Sequence, residues 1–148
     1  VGRDDGVVAY PGSSDHQTGL GVDILNYEWT EKDGMNEKFA LEKEAVWMSE
    51  HCHEYGYILR YMDGKQDVTG IMFEPWHFRY VGKDAAAYIM QNALSLEEFT
   101  AEWQGAVAAY EAAGGDFDAL CDELSAPPPV VLLDEYGEDG DAEVSMFY

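Results

Sequence analysis

Helix-period stretches and short extended stretches follow one another along these 148 residues in no repeating order. A doubly wound parallel sheet needs regular strand–helix alternation, and a bundle or sandwich needs a single period throughout. The mixture points to α+β, a small antiparallel sheet flanked by helices. Residues 20–26 alternate Leu20, Val22 and Ile24 against Gly21, Asp23 and Leu25, which predicts a strand. Residues 57–61 predict a second strand, closed by a turn at 62–65. Two short extended pieces follow at 70–73 and 77–81, separated by Glu74-Pro75-Trp76. Residues 28–36 are polar and read as surface loop. Helical spacing over 37–55 predicts one helix that stops at Gly56. A second helix is predicted over 84–93. The capping box Ser95-x-x-Glu98 opens a third, which ends near residue 113 at Gly114-Gly115.

Apolar residues make up 47% of the chain and aromatics 14%, enough to build the core of one domain and too many for a disordered acidic chain. Thirty acids against eight bases give a net charge of -22. That excludes a nucleic-acid binder working through a basic patch, and electrostatic attraction to anionic lipid. No apolar run comes near the roughly 20 residues of a membrane span. The charge is unevenly spread: residues 1–83 hold all eight bases and fifteen acids, whereas 84–148 hold fifteen acids and no base. Past the stiff Pro127-Pro128-Pro129 the sequence is acidic and Gly-containing. The expected organisation is a domain over 1–125 and an acidic extension over 126–148. Cys52 and Cys121 are too few for a disulfide scaffold and read as buried apolar positions.

Chemistry concentrates at two of the four histidines. His51 and His53 lie two apart on a predicted helix and cannot face one ion together, so they read as solvated or packing residues. His16 and His77 each sit in a loop beside a carboxylate. His16 and Asp23 would be about 23 Å apart on a straight strand. To share an ion the chain must fold back between them, which Gly19 and Gly21 permit. In Glu74-Pro75-Trp76-His77, Pro75 suits position i+1 of a β-turn, bringing the Cα atoms of Glu74 and His77 within about 7 Å. Two His and one carboxylate with an open fourth position make a catalytic zinc set, and a non-ligating carboxylate can then serve as base. By spacing alone the plain alternative stands, since a His in a turn is as a rule only a turn residue.

The two segments carry more than spacing. Ser14-x-His16-x-x-Gly19-x-x-x-Asp23 together with Glu74-x-x-His77 resembles the zinc D-alanyl-D-alanine carboxypeptidases associated with vancomycin resistance. The likeness extends over Pro11-Gly12-x-Ser14-x-His16-Gln17-Thr18-Gly19-Leu20, then Tyr55 to Tyr61, Thr69-Gly70-Ile71, Glu74 to Gly82, and Leu96-Glu97-Glu98-Phe99. It runs in order from about Val8 to Phe99.

The resemblance implies a hedgehog/D-Ala-D-Ala-peptidase-like fold with one zinc ion per chain, held by His16, Asp23 and His77. Glu74 would be the base that takes the proton of the attacking water and returns it to the leaving amine. Ser14 matches a substrate-holding position. Gly21 stands where the family usually has Ala, a change expected to leave the ligands undisturbed. The family's carboxylate-gripping Arg has no counterpart before Ser14, because the surroundings of Arg3 do not match. The first part of the domain is therefore expected to be missing, and Arg60 and Arg79 are the substitute candidates. Either Arg, beside aromatics on a strand, also suits stacking or pairing with an acid.

The implied activity is removal of the terminal D-Ala from peptidoglycan stem peptides. The alternatives are L,D-carboxypeptidase action on the tetrapeptide, or a non-catalytic zinc module that binds the wall. The expected partner is a stem peptide ending in D-Ala, with no nucleic acid and no membrane span, and the expected state is a monomer. The resemblance implies an extracytoplasmic address, in the cell envelope or secreted, although these residues include no signal peptide.

Overall fold

The computed structural model describes residues 12–31 and 35–125. The predicted Pro127–Pro129 spacer and the acidic extension at 126–148 lie outside them. Compact packing divides the chain at Ala109 and Tyr110 into two units.

The first unit is built on a three-stranded antiparallel sheet in the order β1-β3-β2, with β1 at Gly21–Asp23, β2 at Tyr57–Leu59 and β3 at His77–Tyr80. On β1 and β3, Gly21 faces Arg79, Val22 faces Phe78 and Asp23 faces His77. Across the other edge Tyr57 faces Tyr80, and Leu59 faces Phe78. Alternation along β3 puts His77 and Arg79 on one face and Phe78 on the other. Phe78 is 1% exposed and packs with Cys52 and Leu59, so the polar residues of β3 stand on a strand anchored from behind.

The helices are α1 (Tyr27–Thr30), α2 (Lys43–His51), α3 (Gln66–Thr69), α4 (Lys83–Gln91) and α5 (Leu96–Ala112). Ile58 of β2 packs with Ala86 and Ile89 of α4, backed by Leu96 and Phe99 of α5. The predicted capping box is present: the Ser95 amide donates to Glu98 Oε2 at 2.7 Å, and the Glu98 amide donates to Ser95 Oγ at 3.2 Å. In the second unit, after α5 ends, α6 (Phe117–Ser125) begins at Asp116, whose carboxylate accepts the Ala119 amide at 2.9 Å.

Several boundaries differ from expectation. The helix predicted over 37–55 is three pieces: a 3₁₀ turn at Glu37–Leu41, α2, and a 3₁₀ turn at Cys52–Tyr55. The break falls at Glu42, which is extended at φ -75 and ψ 141. Phe39 is fully buried against Trp29, Ala45 and Trp76, and the Glu42 carboxylate accepts Trp29 Nε1–H at 2.8 Å. Gly56 does stop the run, at φ 83, and a Cβ there would lie 2.8 Å from the Tyr80 ring.

Residues 28–36 are not all loop, because Asn26 caps α1 and buries Trp29. The strand at 20–26 shortens to three residues for the same reason. Residues 70–73 pair with no strand among the described residues. Cys52 and Cys121 are free thiols; Cys52 is buried as expected, and Cys121 is exposed on α6, which has no buried residue. No helix among the described residues is long and apolar enough to cross a membrane.

Candidate metal centre

Two tight turns bring the chemistry together. The first is a 3₁₀ turn at Asp15–Thr18, closed by Gly19 at φ 73 with its amide on the His16 carbonyl at 3.0 Å. It folds the chain back so that His16 Nδ1 lies 3.3 Å from the carbonyl of Gly21, at the start of β1. Of the two glycines expected to permit this, only Gly19 needs a left-handed backbone. Gly21 is needed for space: a Cβ on it would fall 2.9 Å from Asp15 Oδ2 and 3.1 Å from the Asp15 carbonyl carbon. The second is the predicted β-turn at Glu74–His77, where the His77 amide donates to the Glu74 carbonyl at 3.1 Å.

Register does the rest. Because Asp23 sits opposite His77, Asp23 Oδ1 lies 3.0 Å from His77 Nδ1, and His16 Nε2 approaches the same oxygen at 3.4 Å. One ligand atom from each of His16, Asp23 and His77 lies within 4.8 Å of the others. The two imidazole rings meet edge to face with centroids 4.6 Å apart. The His77 side chain is 4% exposed and that of His16 45%, so one ring is built into the floor and the other stands at the mouth.

Two imidazole nitrogens and one carboxylate oxygen at a cleft are the donor set of a zinc site that keeps a position open. The second contacts suit that role. His16 can donate Nδ1–H to Gly21, and His77 can donate Nε2–H to Asp15 Oδ2 at 3.3 Å, leaving Nε2 and Nδ1 as donors. The residues present therefore fit a divalent ion of this kind.

Glu74 Oε2 lies 3.6 Å from His77 Nδ1, near the triad and outside it. Burial pushes its carboxyl up to about 7, against the pull of His77 and with help from the Asp23 charge. For His77 burial acts to lower the pKa, but hydrogen bonds to Asp23 and Asp15 outweigh it and the net shift is upward. These groups open into a cleft of about 420 Å³ lined by Ser14, Asp15, His16, Asp23, Glu74 and His77, with Met35, Tyr61, Ile71 and Trp76 as its less polar wall. A larger groove of about 580 Å³, against Ile24, Trp47 and Met48, holds none of the candidate residues.

Ser14 lies at the lip of the cleft, half-buried. Arg60 and Arg79 are already engaged with protein carboxylates. Arg60 forms a two-pronged pair with Glu97 at 3.0 and 2.6 Å, and Arg79 donates to Asp15 Oδ1. His51 stacks on Trp47 and bonds Glu54 at 2.7 Å, away from any shared ion. Asp15 went unremarked in the sequence, where it is only the variable residue between Ser14 and His16. Its place becomes visible once β1 is paired with β3.

Known proteins share both the sequence and the fold. The family model described as VanY, D-alanyl-D-alanine carboxypeptidase, matches residues 3–83. A D-alanyl-D-alanine carboxypeptidase of Enterococcus faecalis is 44% identical over 92 residues, covering 62% of this chain and 31% of that protein. The structure of the LdcB LD-carboxypeptidase is 44% identical with a TM-score of 0.59, covering 64% of this chain and 44% of that one. A vancomycin-resistance D,D-pentapeptidase VanY in complex with Zn(II) is 38% identical with a TM-score of 0.53, covering 65% of this chain and 49% of that one. The chain thus spans between a third and a half of the length of such relatives. With a family match over more than half of its residues and structural likeness to a zinc-bound VanY at 38% identity, the chain belongs to the VanY family of D-alanyl-D-alanine carboxypeptidases.

Proposed function

We propose that this chain carries the metal centre of a zinc carboxypeptidase that removes the terminal D-Ala from peptidoglycan stem peptides, outside the cytoplasm. His16 Nε2, Asp23 Oδ1 and His77 Nδ1 would hold one zinc ion. At such a set the ion supplies Lewis-acid polarisation of a carbonyl and acidifies a water toward a pKa of about 7. The observation that carries the reading is Glu74: a carboxylate 8% exposed, 3.6 Å from a ligand nitrogen and outside the ligand cluster. A carboxylate that does not ligate is free to serve as the general base. Glu74 accepts the proton of the attacking water and delivers it to the departing D-Ala amine. A module that only bound the wall would need no such base.

Ser14, in the lining of the cleft, would donate to the substrate. Arg60 and Arg79 could meet the terminal carboxylate only by giving up Glu97 or Asp15. Their pairing therefore supports a supporting role for both guanidinium groups. The LD-carboxypeptidase likeness makes the tetrapeptide the second substrate to try.

The test is a D-Ala release assay on stem pentapeptide and tetrapeptide, with zinc content measured on the same samples. About one zinc per chain and release abolished by chelator are expected. Release that survives chelation, or a chain that takes up no zinc, would overturn the proposal.

A further inference from the structure

We infer that Asp15 is a positioning residue: its carboxylate takes the Nε2–H of His77, selects the tautomer that leaves Nδ1 bare, and thereby sets metal affinity. The inference rests on the reading of His77 as a ligand through Nδ1.

A neutral imidazole carries one proton, and only the other nitrogen can ligate. Each nitrogen of His77 faces a carboxylate. Nδ1 lies 3.0 Å from Asp23, and Nε2 lies 3.3 Å from Asp15 Oδ2. Asp15 and His77 side chains are 8% and 4% exposed, so little of that contact is open to water. The two Asp15 oxygens have separate work: Arg79 donates to Oδ1, and Oδ2 is left for the imidazole. Arg60 Nε, buried and without a hydrogen-bond partner, stands 4.0 Å from the same Oδ1, while its terminal nitrogens hold Glu97. A carboxylate accepts and does not donate, so Asp15 favours the Nε2–H form where Asp23 would favour Nδ1–H.

Gly21 gives a second, independent line. The Asp15 carboxylate reaches His77 through space that any Cβ at position 21 would occupy, at 2.9 Å from Oδ2. The lack of a side chain at position 21 is thus tied to where Asp15 sits.

Asp15→Asn separates positioning from packing. The amide keeps the shape, but Arg79 claims its oxygen and turns the NH₂ toward Nε2, which favours the Nδ1–H tautomer that cannot ligate. Loss of such a partner to a ligating His typically costs about 10–100-fold in affinity. Zinc affinity of the whole 148-residue chain would be read by competition with a chelating fluorophore, with folding checked by circular dichroism. Nitrogen-15 spectra of the metal-free chain, titrated with base until the His77 ring itself reads neutral, would report the tautomer directly.

The expected results are Nε2–H at His77 in the unmodified chain, a 10–100-fold weaker Kd in Asp15→Asn, and a smaller loss in the same direction for Gly21→Ala. Nδ1–H at His77 in the unmodified chain, or a folded Asp15→Asn that binds zinc within threefold of it, would overturn the inference. If Asp15→Asn does not fold, the tautomer of the unmodified chain decides. Failure of the metal-site reading looks different, because the unmodified chain would then bind no zinc at all.

Discussion

Replacing Glu74 by Gln tests the base through stability before any substrate is added. The Glu74 carboxyl has an ordinary value of 4.5 and is pushed to about 7 in the fold by burial. A carboxyl whose folded pKa is raised contributes stability that is full below the unfolded value and lost as pH rises through the folded one. Each pKa unit is worth about 1.4 kcal/mol, so ionised Glu74 costs the metal-free fold about 3 kcal/mol at pH 8.5. Between pH 5 and pH 8.5 about 2–3 kcal/mol of that appears, since some of the loss lies below pH 5. Glu74→Gln removes the titration and keeps the volume. Melts of both proteins in chelator should diverge with rising pH in favour of the variant, by on the order of 10 °C at the alkaline end. Zinc should compress the difference, because a cation beside the carboxylate favours its charged form. Flat difference profiles in chelator would refute the reasoning, for Glu74 would then be neither buried nor strained by its charge. In the zinc-loaded chain the same variant should keep its metal and lose about 10²–10⁴-fold in D-Ala release.

Glu97→Ala leaves the Arg60 guanidinium, whose side chain is 11% exposed, without its two-pronged partner. Glu97 itself is 36% exposed, so water moderates the loss and urea denaturation should show about 1–2 kcal/mol. Phe39→Ala opens a cavity at a residue of 0% exposure and should cost about 3–4 kcal/mol, read as a lowered urea midpoint. Burial pushes the Cys52 thiol up to about 11, so at pH 8 a maleimide should label Cys121 quickly and Cys52 only as the protein opens, as peptide mass mapping would report.

What could be read in the sequence was whatever rests on local chemistry. The Glu74–His77 turn, the Gly56 stop and the Ser95–Glu98 capping box each depend on a few adjacent residues, and each appears as expected. The candidate ligands were named by spacing and by likeness of motif. Nothing local showed that Asp23 would stand opposite His77, since that follows from strand register. The single helix expected over 37–55 failed because helical spacing continues through Glu42, where the backbone is extended and no Gly or Pro marks the break. Asp15 was invisible as well. Its partners His77 and Arg79 lie 62 and 64 positions away, beyond the reach of any periodicity.

The pairing of Asp23 with His77 has a consequence for how the chain finds its fold. β1 is only three residues long, and so short a strand holds its alignment weakly. A slip of one residue would carry Asp23 to the opposite face and set Val22 or Ile24 against the imidazole. The slipped chain could gather no cluster of ligands and would gain nothing from an ion in solution. The aligned chain gains about 2.7 kcal/mol when free zinc stands a hundredfold above its Kd. A catalytic metal would in this way also proofread the strand on which its own ligand is carried.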